Sequence, residues 1–365
     1  MAAGLFAMTG CATAQPTLKD AFKDKFLIGA ALNESQFTEQ NPAQAALVKK
    51  QFSSITPENV MKWEKIRPER DQFNFGPADR YVEFGEKNNM FIIGHTLVWH
   101  SQTPSWVFED GKGNPTDRAT LLARMSNHIH TVVSRYKGRV KGWDVVNEAL
   151  NENGSLRQSP WLKIIGEDYL VKAFEFARTA DPKAELYYND FALENSSKRK
   201  GAVTLIEKLK AAGVKVDGIG TQSHLRLNSP SIQQIEDTIT TFGQLKVKVM
   251  VTELDVEVLP RHTGNLTAEV SYREAANPAL NPYTNGLPES VQQDLAKRYG
   301  EIFEVYARHA DKISRVTLWG VTDGDSWLND WPIRSRTNHP LLFDRNNQPK
   351  PALDAVLNAA TKIAP

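Results

Sequence analysis

Two glutamates end two apolar runs. In Val140–Glu148 (VKGWDVVNE) the apolar residues give way to Asn147 and Glu148, and in Val247–Asp255 (VKVMVTELD) the same change comes at Glu253. One such acid alone would read as a solvated charge at a strand end. Two of them suit the cleavage of a glycosidic bond, in which one carboxylic acid protonates the leaving oxygen and a second carboxylate attacks the anomeric carbon or activates water. Asn147 beside Glu148 can hold a sugar 2-hydroxyl, a contact that strengthens toward an oxocarbenium-like transition state. Glu148 therefore reads as the acid/base and Glu253 as the nucleophile.

Such a pair needs a frame that brings distant strand ends together. Short β-branched or aromatic runs separated by helical patterns recur along the chain and give eight expected strands: Phe26–Ala31, Ser53–Thr56, Phe91–Leu97, Val140–Asn147, Glu185–Asn189, Gly218–Ser223, Val247–Glu253 and Arg315–Trp319. Helical periodicity fills the intervals, as in Asp168–Ala180 and in Ser197–Ala212, which closes at Gly213 as a C-cap would. Eight strands alternating with helices specify the α/β class and a single-domain (β/α)8 TIM barrel over residues 18–365, in which polar residues at the carboxyl ends of strands face the active site. The longest irregular stretch, Val258–Pro288, follows the seventh strand onto that face and is expected to narrow one end of the cleft.

Composition narrows the partners. Lys and Arg number 44 against 43 Asp and Glu, so no basic field is present to hold nucleic acid, and after the first residues no apolar run is long enough to span a membrane. A neutral substrate fits this balance. The single cysteine, Cys11, excludes an internal disulfide and a cysteine metal cluster. Thr9-Gly10-Cys11 resembles a bacterial lipoprotein processing site, and Ala12-Thr13-Ala14 an A-x-A cleavage site. Residues 1–17 are thus expected to be a processing segment or a disordered tail, and the protein to be exported: secreted, periplasmic or lipid-anchored through Cys11. No metal is expected, because the histidines lack ligand spacing, no acidic run in the long loop specifies calcium, and no cofactor is required.

Four segments, ITPENVMKW (Ile55–Trp63), HTLVWH (His95–His100), WDVVNEA (Trp143–Ala149) and TELD (Thr252–Asp255), closely resemble glycoside hydrolase family 10, the endo-β-1,4-xylanases, in order from about residue 18 to residue 360. The resemblance implies a retaining enzyme acting on xylan and xylo-oligosaccharides, with Glu148 as acid/base and Glu253 as nucleophile. It implies that Glu58, Asn59 and Lys62 bind sugars on the non-reducing side of the cut, and that His95 and Trp99 surround the cleaved sugar. It places Gln222 on the sugar and His224 beside the nucleophile. Asp255, two residues past Glu253, is expected to hold that histidine. Tyr188 and Asn189 are implied on the leaving-group side, and Trp319 and Trp327 as walls around the cleaved sugar. Trp106, Trp161 and Trp331 read as core. The rival readings are a barrel glycosidase acting on cellulose, mannan or β-1,3-xylan, one of mixed xylan and β-1,4-glucan specificity, a non-catalytic polysaccharide-binding protein, and a metal-dependent hydrolase. Retention of both carboxylates argues against the binding protein, and the histidine spacing against the metal enzyme.

Overall fold

The computed structural model describes residues 16–261 and 269–362. Cys11 and the expected processing site lie outside them, as does part of the Val258–Pro288 stretch. Among the described residues eight parallel strands close into a barrel: β1 (Leu27–Leu32), β2 (Ser54–Pro57), β3 (Phe91–Val98), β4 (Gly142–Asn147), β5 (Glu185–Asp190), β6 (Gly218–Thr221), β7 (Lys248–Glu257) and β8 (Ile313–Leu318). Each pairs with its successor, and β8 returns to β1 through Leu27 opposite Arg315, so the ring has no open edge. A long helix follows each strand in turn: α1 (Pro42–Gln51), α2 (Gly76–Lys87), α3 (Arg118–Arg135), α4 (Tyr169–Ala180), α5 (Ser196–Ala211), α6 (Ile232–Gly243), α7 (Glu289–Arg308) and α8 (Pro351–Lys362).

Local chemistry explains the segments. The strands are buried on both faces, which is why runs such as Val249-Met250-Val251 are continuously apolar rather than alternating. In α4, Tyr169, Leu170, Ala173, Phe174, Ala177 and Ala180 repeat at helical spacing and are all buried. Burying Phe174 alone is worth roughly 1.5–3 kcal/mol. Ser231 and Gln234 form a reciprocal capping box that starts α6, and Gly213 takes the left-handed conformation (φ +79°) just beyond α5.

Inside the barrel Ile93, Tyr187 and Met250, from the alternate strands β3, β5 and β7, form their own apolar layer. Two glycines make room where the bore is crowded. A Cβ on Gly142 would lie 2.3 Å from the Tyr187 hydroxyl, and one on Gly220 would lie 2.4 Å from Asn189 Oδ1.

The observed strands lie within a few residues of the expected ones. The sixth differs in kind. It stops at Thr221, Ser223 turns left-handed (φ +60°), and pairing resumes as a short strand, His224–Arg226, against the end of β7. Strand β7 runs on to Glu257, whose buried carboxylate is paired with Arg336 at 2.7 Å. Trp319 follows β8 rather than ending it.

Gly220→Ala should drive its new methyl into Asn189 and Thr252 and lower stability by about 1–3 kcal/mol. A urea unfolding midpoint equal to that of the wild type would contradict this packing.

Candidate active site

The carboxyl ends of the strands converge on two buried glutamates. Glu148 directly follows β4 and is 6% exposed, and Glu253 lies within β7 and is 5% exposed. Glu148 has left-handed backbone, φ +57°, a conformation costing a non-glycine residue about 1–3 kcal/mol unless its surroundings impose it. They do so here. Its N–H donates to the Asn189 carbonyl (2.9 Å), its own carbonyl accepts from Arg157 Nε (2.9 Å), and the Leu150 N–H donates to the Asp190 carboxylate (3.3 Å).

A chain of amides joins the two carboxyl groups. Asn189 Nδ2 donates to Glu253 Oε1 (2.8 Å) and to Asn147 Oδ1 (3.0 Å), while Asn147 Nδ2 and Gln222 Nε2 both reach Glu148 Oε1 (3.3 and 3.0 Å). The Thr252 hydroxyl donates to Asn189 Oδ1 (2.6 Å), which fixes the amide end presented to Glu253. On the other side His224 bridges two acids. Its Nε2 lies 3.2 Å from Glu253 Oε2 and its Nδ1 lies 3.1 Å from Asp255 Oδ2.

These contacts separate the two glutamates electrically. Burial raises the Glu148 pKa, the negative charge of Glu253 adds to that, and the Gln222 hydrogen bond opposes it. Burial would raise Glu253 as well, but the His224 hydrogen bond, the charges of His95 and His224 and the Asn189 contact bring it below the ordinary glutamate value. Burial disfavours the charged His224 ring, yet Asp255 and then Glu253 overcome this and raise its pKa to about 10. At neutral pH the site therefore holds one carboxyl biased toward its proton beside one biased toward its charge.

Around this centre Lys62 lies buried, its Nζ 2.8 Å from Gln102 Oε1, 3.1 Å from Asn59 Oδ1 and 5.2 Å from the Trp99 ring centroid. Burial lowers the Lys62 pKa and raises that of Glu58, each tempered by the other's charge. His95 Nδ1–H donates to Asp144 Oδ2 (2.9 Å), and its ring meets Trp319 edge-on at 5.6 Å. Trp327 packs on His224 with ring centroids 4.8 Å apart, and its indole N–H donates to Asp255 Oδ2 at 2.8 Å. Of the tryptophans read as core, Trp161 is buried and donates to the Trp99 carbonyl (2.9 Å), Trp331 stacks behind Trp327 at 4.6 Å, and half-buried Trp106 donates to the Pro68 carbonyl.

One expected binding residue faces the wrong way. Tyr188 is fully buried in the layer between sheet and helices, with its hydroxyl on Asp190. Side chains along a strand alternate between faces, so with Asn189 turned into the mouth its neighbour must turn outward. The sequence reading passed over Asp144, Gln102, Thr252 and Arg157. Asp144 had a usable signal, a charge within an otherwise apolar strand. The others act through contacts from distant segments and had none. Among the described residues no group of three His, Cys, Asp or Glu side chains is placed to hold a metal ion.

A sequence model of the family described as Glycosyl hydrolase family 10 matches residues 17–359. Endo-1,4-beta-xylanase A of Xylanibacter ruminicola is 45% identical over 353 residues, covering 97% of this chain and 96% of its own. The Beta-1,4-xylanase of Dictyoglomus thermophilum is 43% identical, covering 92% of this chain and 89% of its own. Among solved structures, a GH10 endoxylanase retrieved from a sugarcane soil metagenome superposes with a TM-score of 0.89 at 46% identity, covering 94% of this chain and 99% of that one. An intracellular xylanase from Thermoanaerobacterium saccharolyticum, solved in complex with xylotriose, superposes with a TM-score of 0.81 at 37% identity, covering 93% and 98%.

Nitrogen NMR of the histidine rings should find His224 protonated on both nitrogens at pH 8 and losing that proton only near pH 10. The raised value means that the stability this proton brings is complete below the ordinary histidine range and is lost as pH rises through about 10. Asp255→Asn should return the titration toward the ordinary range, and a wild-type ring already neutral at pH 8 would contradict the charge arrangement.

Proposed function

Because this chain belongs to glycosyl hydrolase family 10, we propose that it is a retaining endo-1,4-β-xylanase that cuts internal β-1,4-xylosidic bonds by double displacement. The observation that carries the reading is the pair of buried glutamates with oppositely shifted pKa values on one amide chain. Glu148, biased toward its proton, donates it to the leaving oxygen. Glu253, kept ionised by His224, attacks the anomeric carbon to form a glycosyl-enzyme. Glu148, now a carboxylate, then takes a proton from water as the water displaces Glu253.

The remaining residues bind. Asn147 holds the sugar 2-hydroxyl, Asn189 binds on the leaving-group side, and Gln222 orients the acid. Glu58, Asn59 and Lys62 hold sugars on the non-reducing side, and His95 and Trp99 line the sugar being cleaved. Trp319 and Trp327 supply indole faces for its apolar C–H face. A wall with no room for a hydroxymethyl group would favour xylose over glucose by about 1–3 kcal/mol. A mixed xylan and β-1,4-glucan activity is the second reading, because one relative, 38% identical over 95% of this chain and 30% of its own length, is named Exoglucanase XynX of Acetivibrio thermocellus.

Wild-type protein should thin glucuronoxylan rapidly, release reducing ends and leave mannan intact, with any cut in cellulose measuring the second reading. Glu148→Ala should slow xylan hydrolysis by about 10²–10⁴-fold, with a smaller loss on an activated aryl xylobioside. Glu253→Ala should abolish both. Proton NMR should show the β-anomer as the first product; an initial α-anomer would contradict the double displacement.

A further inference from the structure

Behind Glu148, on the side away from the cleft, lies an ion pair to which the proposed reaction assigns nothing. Lys198 of α5 and Asp190 at the end of β5 are both completely buried, with Lys198 Nζ 3.0 Å from Asp190 Oδ1. The same ammonium lies 3.3 Å from the Phe191 ring centroid and 3.5 Å from Glu152, an exposed side chain whose charge solvent screens. A buried pair of this kind is a poor source of stability, since desolvating two charges offsets much of their attraction. The lysine also sits in the first turn of its helix, where the macrodipole disfavours a cation. A residue that breaks two local rules where neither stability nor helix formation gains points to a role at the site.

The contacts of Asp190 indicate that role. Its Oδ1 accepts the Phe191 N–H (2.9 Å), and its Oδ2 accepts the Tyr188 hydroxyl and the Leu150 N–H, two residues past Glu148. The carboxylate thus grips the chain as it leaves the left-handed turn at Glu148, and Lys198 is its buried counter-ion. We propose that Lys198 and Asp190 are positioning residues for the acid/base, the neutral pair fixing the turn that carries Glu148 while setting two opposed charges behind its carboxyl. This rests on the reading of Glu148 as the acid/base.

The other charges facing this group are known. Glu253 and Lys62 face Glu148 from the cleft, and Tyr188, Tyr169, Arg157 and Glu152 surround the pair. The positive charge of Lys198 lowers the Glu148 pKa, and the Glu148 charge raises that of Asp190. Removing one partner at a time therefore acts on Glu148 with opposite signs. Asp190→Asn strands a cation and should lower its titration, whereas Lys198→Met strands an anion and should raise it.

The test is carbon NMR titration of carboxyl-labelled glutamate in the full chain, with the Glu148 signal assigned by its loss in Glu148→Gln. Glu148 should titrate at least about one pH unit lower in Asp190→Asn than in Lys198→Met. Coincident midpoints, or the reverse order, overturn the proposal. The readout needs no turnover, so it stands apart from whether xylan is the substrate. If a lone buried charge prevents either single variant from folding, the double variant Lys198→Met/Asp190→Asn, with no charge to strand, gives the second reading. Its kcat on xylan should fall tenfold or more with KM nearly unchanged as the turn at Glu148 loosens, and a wild-type kcat overturns the proposal.

Discussion

Two carboxyl groups buried under one barrel rim cannot both ionise cheaply, and the surroundings of Glu148 and Glu253 decide which of them does. Each is desolvated to a similar degree, so burial alone would raise both pKa values. The difference comes from what touches each one. Glu253 has the His224 ring at 3.2 Å and an amide N–H from Asn189, while the Glu148 carboxyl meets the amides of Gln222 and Asn147 and the Trp99 indole, with no ionisable partner in contact. His224 can carry its charge in this place because Asp255 stands on its other nitrogen. The electrostatic asymmetry of the site therefore begins one residue removed from the two glutamates.

The barrel supplies the geometry that this asymmetry needs. Asn189, Asn147 and Thr252 come from three strands and meet only because parallel strands bring their carboxyl ends to one face. Gly220 leaves the room in which Asn189 lies. The ladder between β4 and β5 shifts register between Asp144 and Val146, and the β7 to β8 ladder shifts between Val251 and Leu254. Both irregularities fall just before or around one of the two buried glutamates. Departures from regular pairing re-aim side chains at strand ends, and the left-handed backbone at Glu148 and Ser223 belongs to the same device. Contacts from neighbouring strands, Arg157 and Asp190 hold the strained turn at Glu148 in place.

The strand and helix alternation could be read directly, because apolar runs and helical periodicity follow from local geometry. The position of each glutamate at the end of an apolar run was legible for the same reason. The resemblance puts both Tyr188 and Asn189 at the mouth, but strand alternation sends neighbours to opposite faces, and Tyr188 lies in the core instead. The break after Thr221 escaped because a left-handed serine has no composition signal. Asp144, Gln102, Thr252 and Lys198 each act on a residue from another segment, and a single chain read in order carries no record of such pairings. The sequence offered Asp144 only as a charge out of place and Lys198 as one more basic residue in a basic helix.

The central claim is the division of labour between a protonated Glu148 and an ionised Glu253. Its most direct measurement is the pH dependence of kcat/KM on a xylo-oligosaccharide with an unactivated leaving sugar, compared between wild type and Glu148→Ala. The account predicts a bell whose acidic limb falls below the ordinary glutamate value, from Glu253, and whose alkaline limb lies above it, from Glu148, with the alkaline limb absent when the variant is assayed on an activated aryl xylobioside. An alkaline limb that persists unchanged in Glu148→Ala would assign that proton to another group and contradict the account.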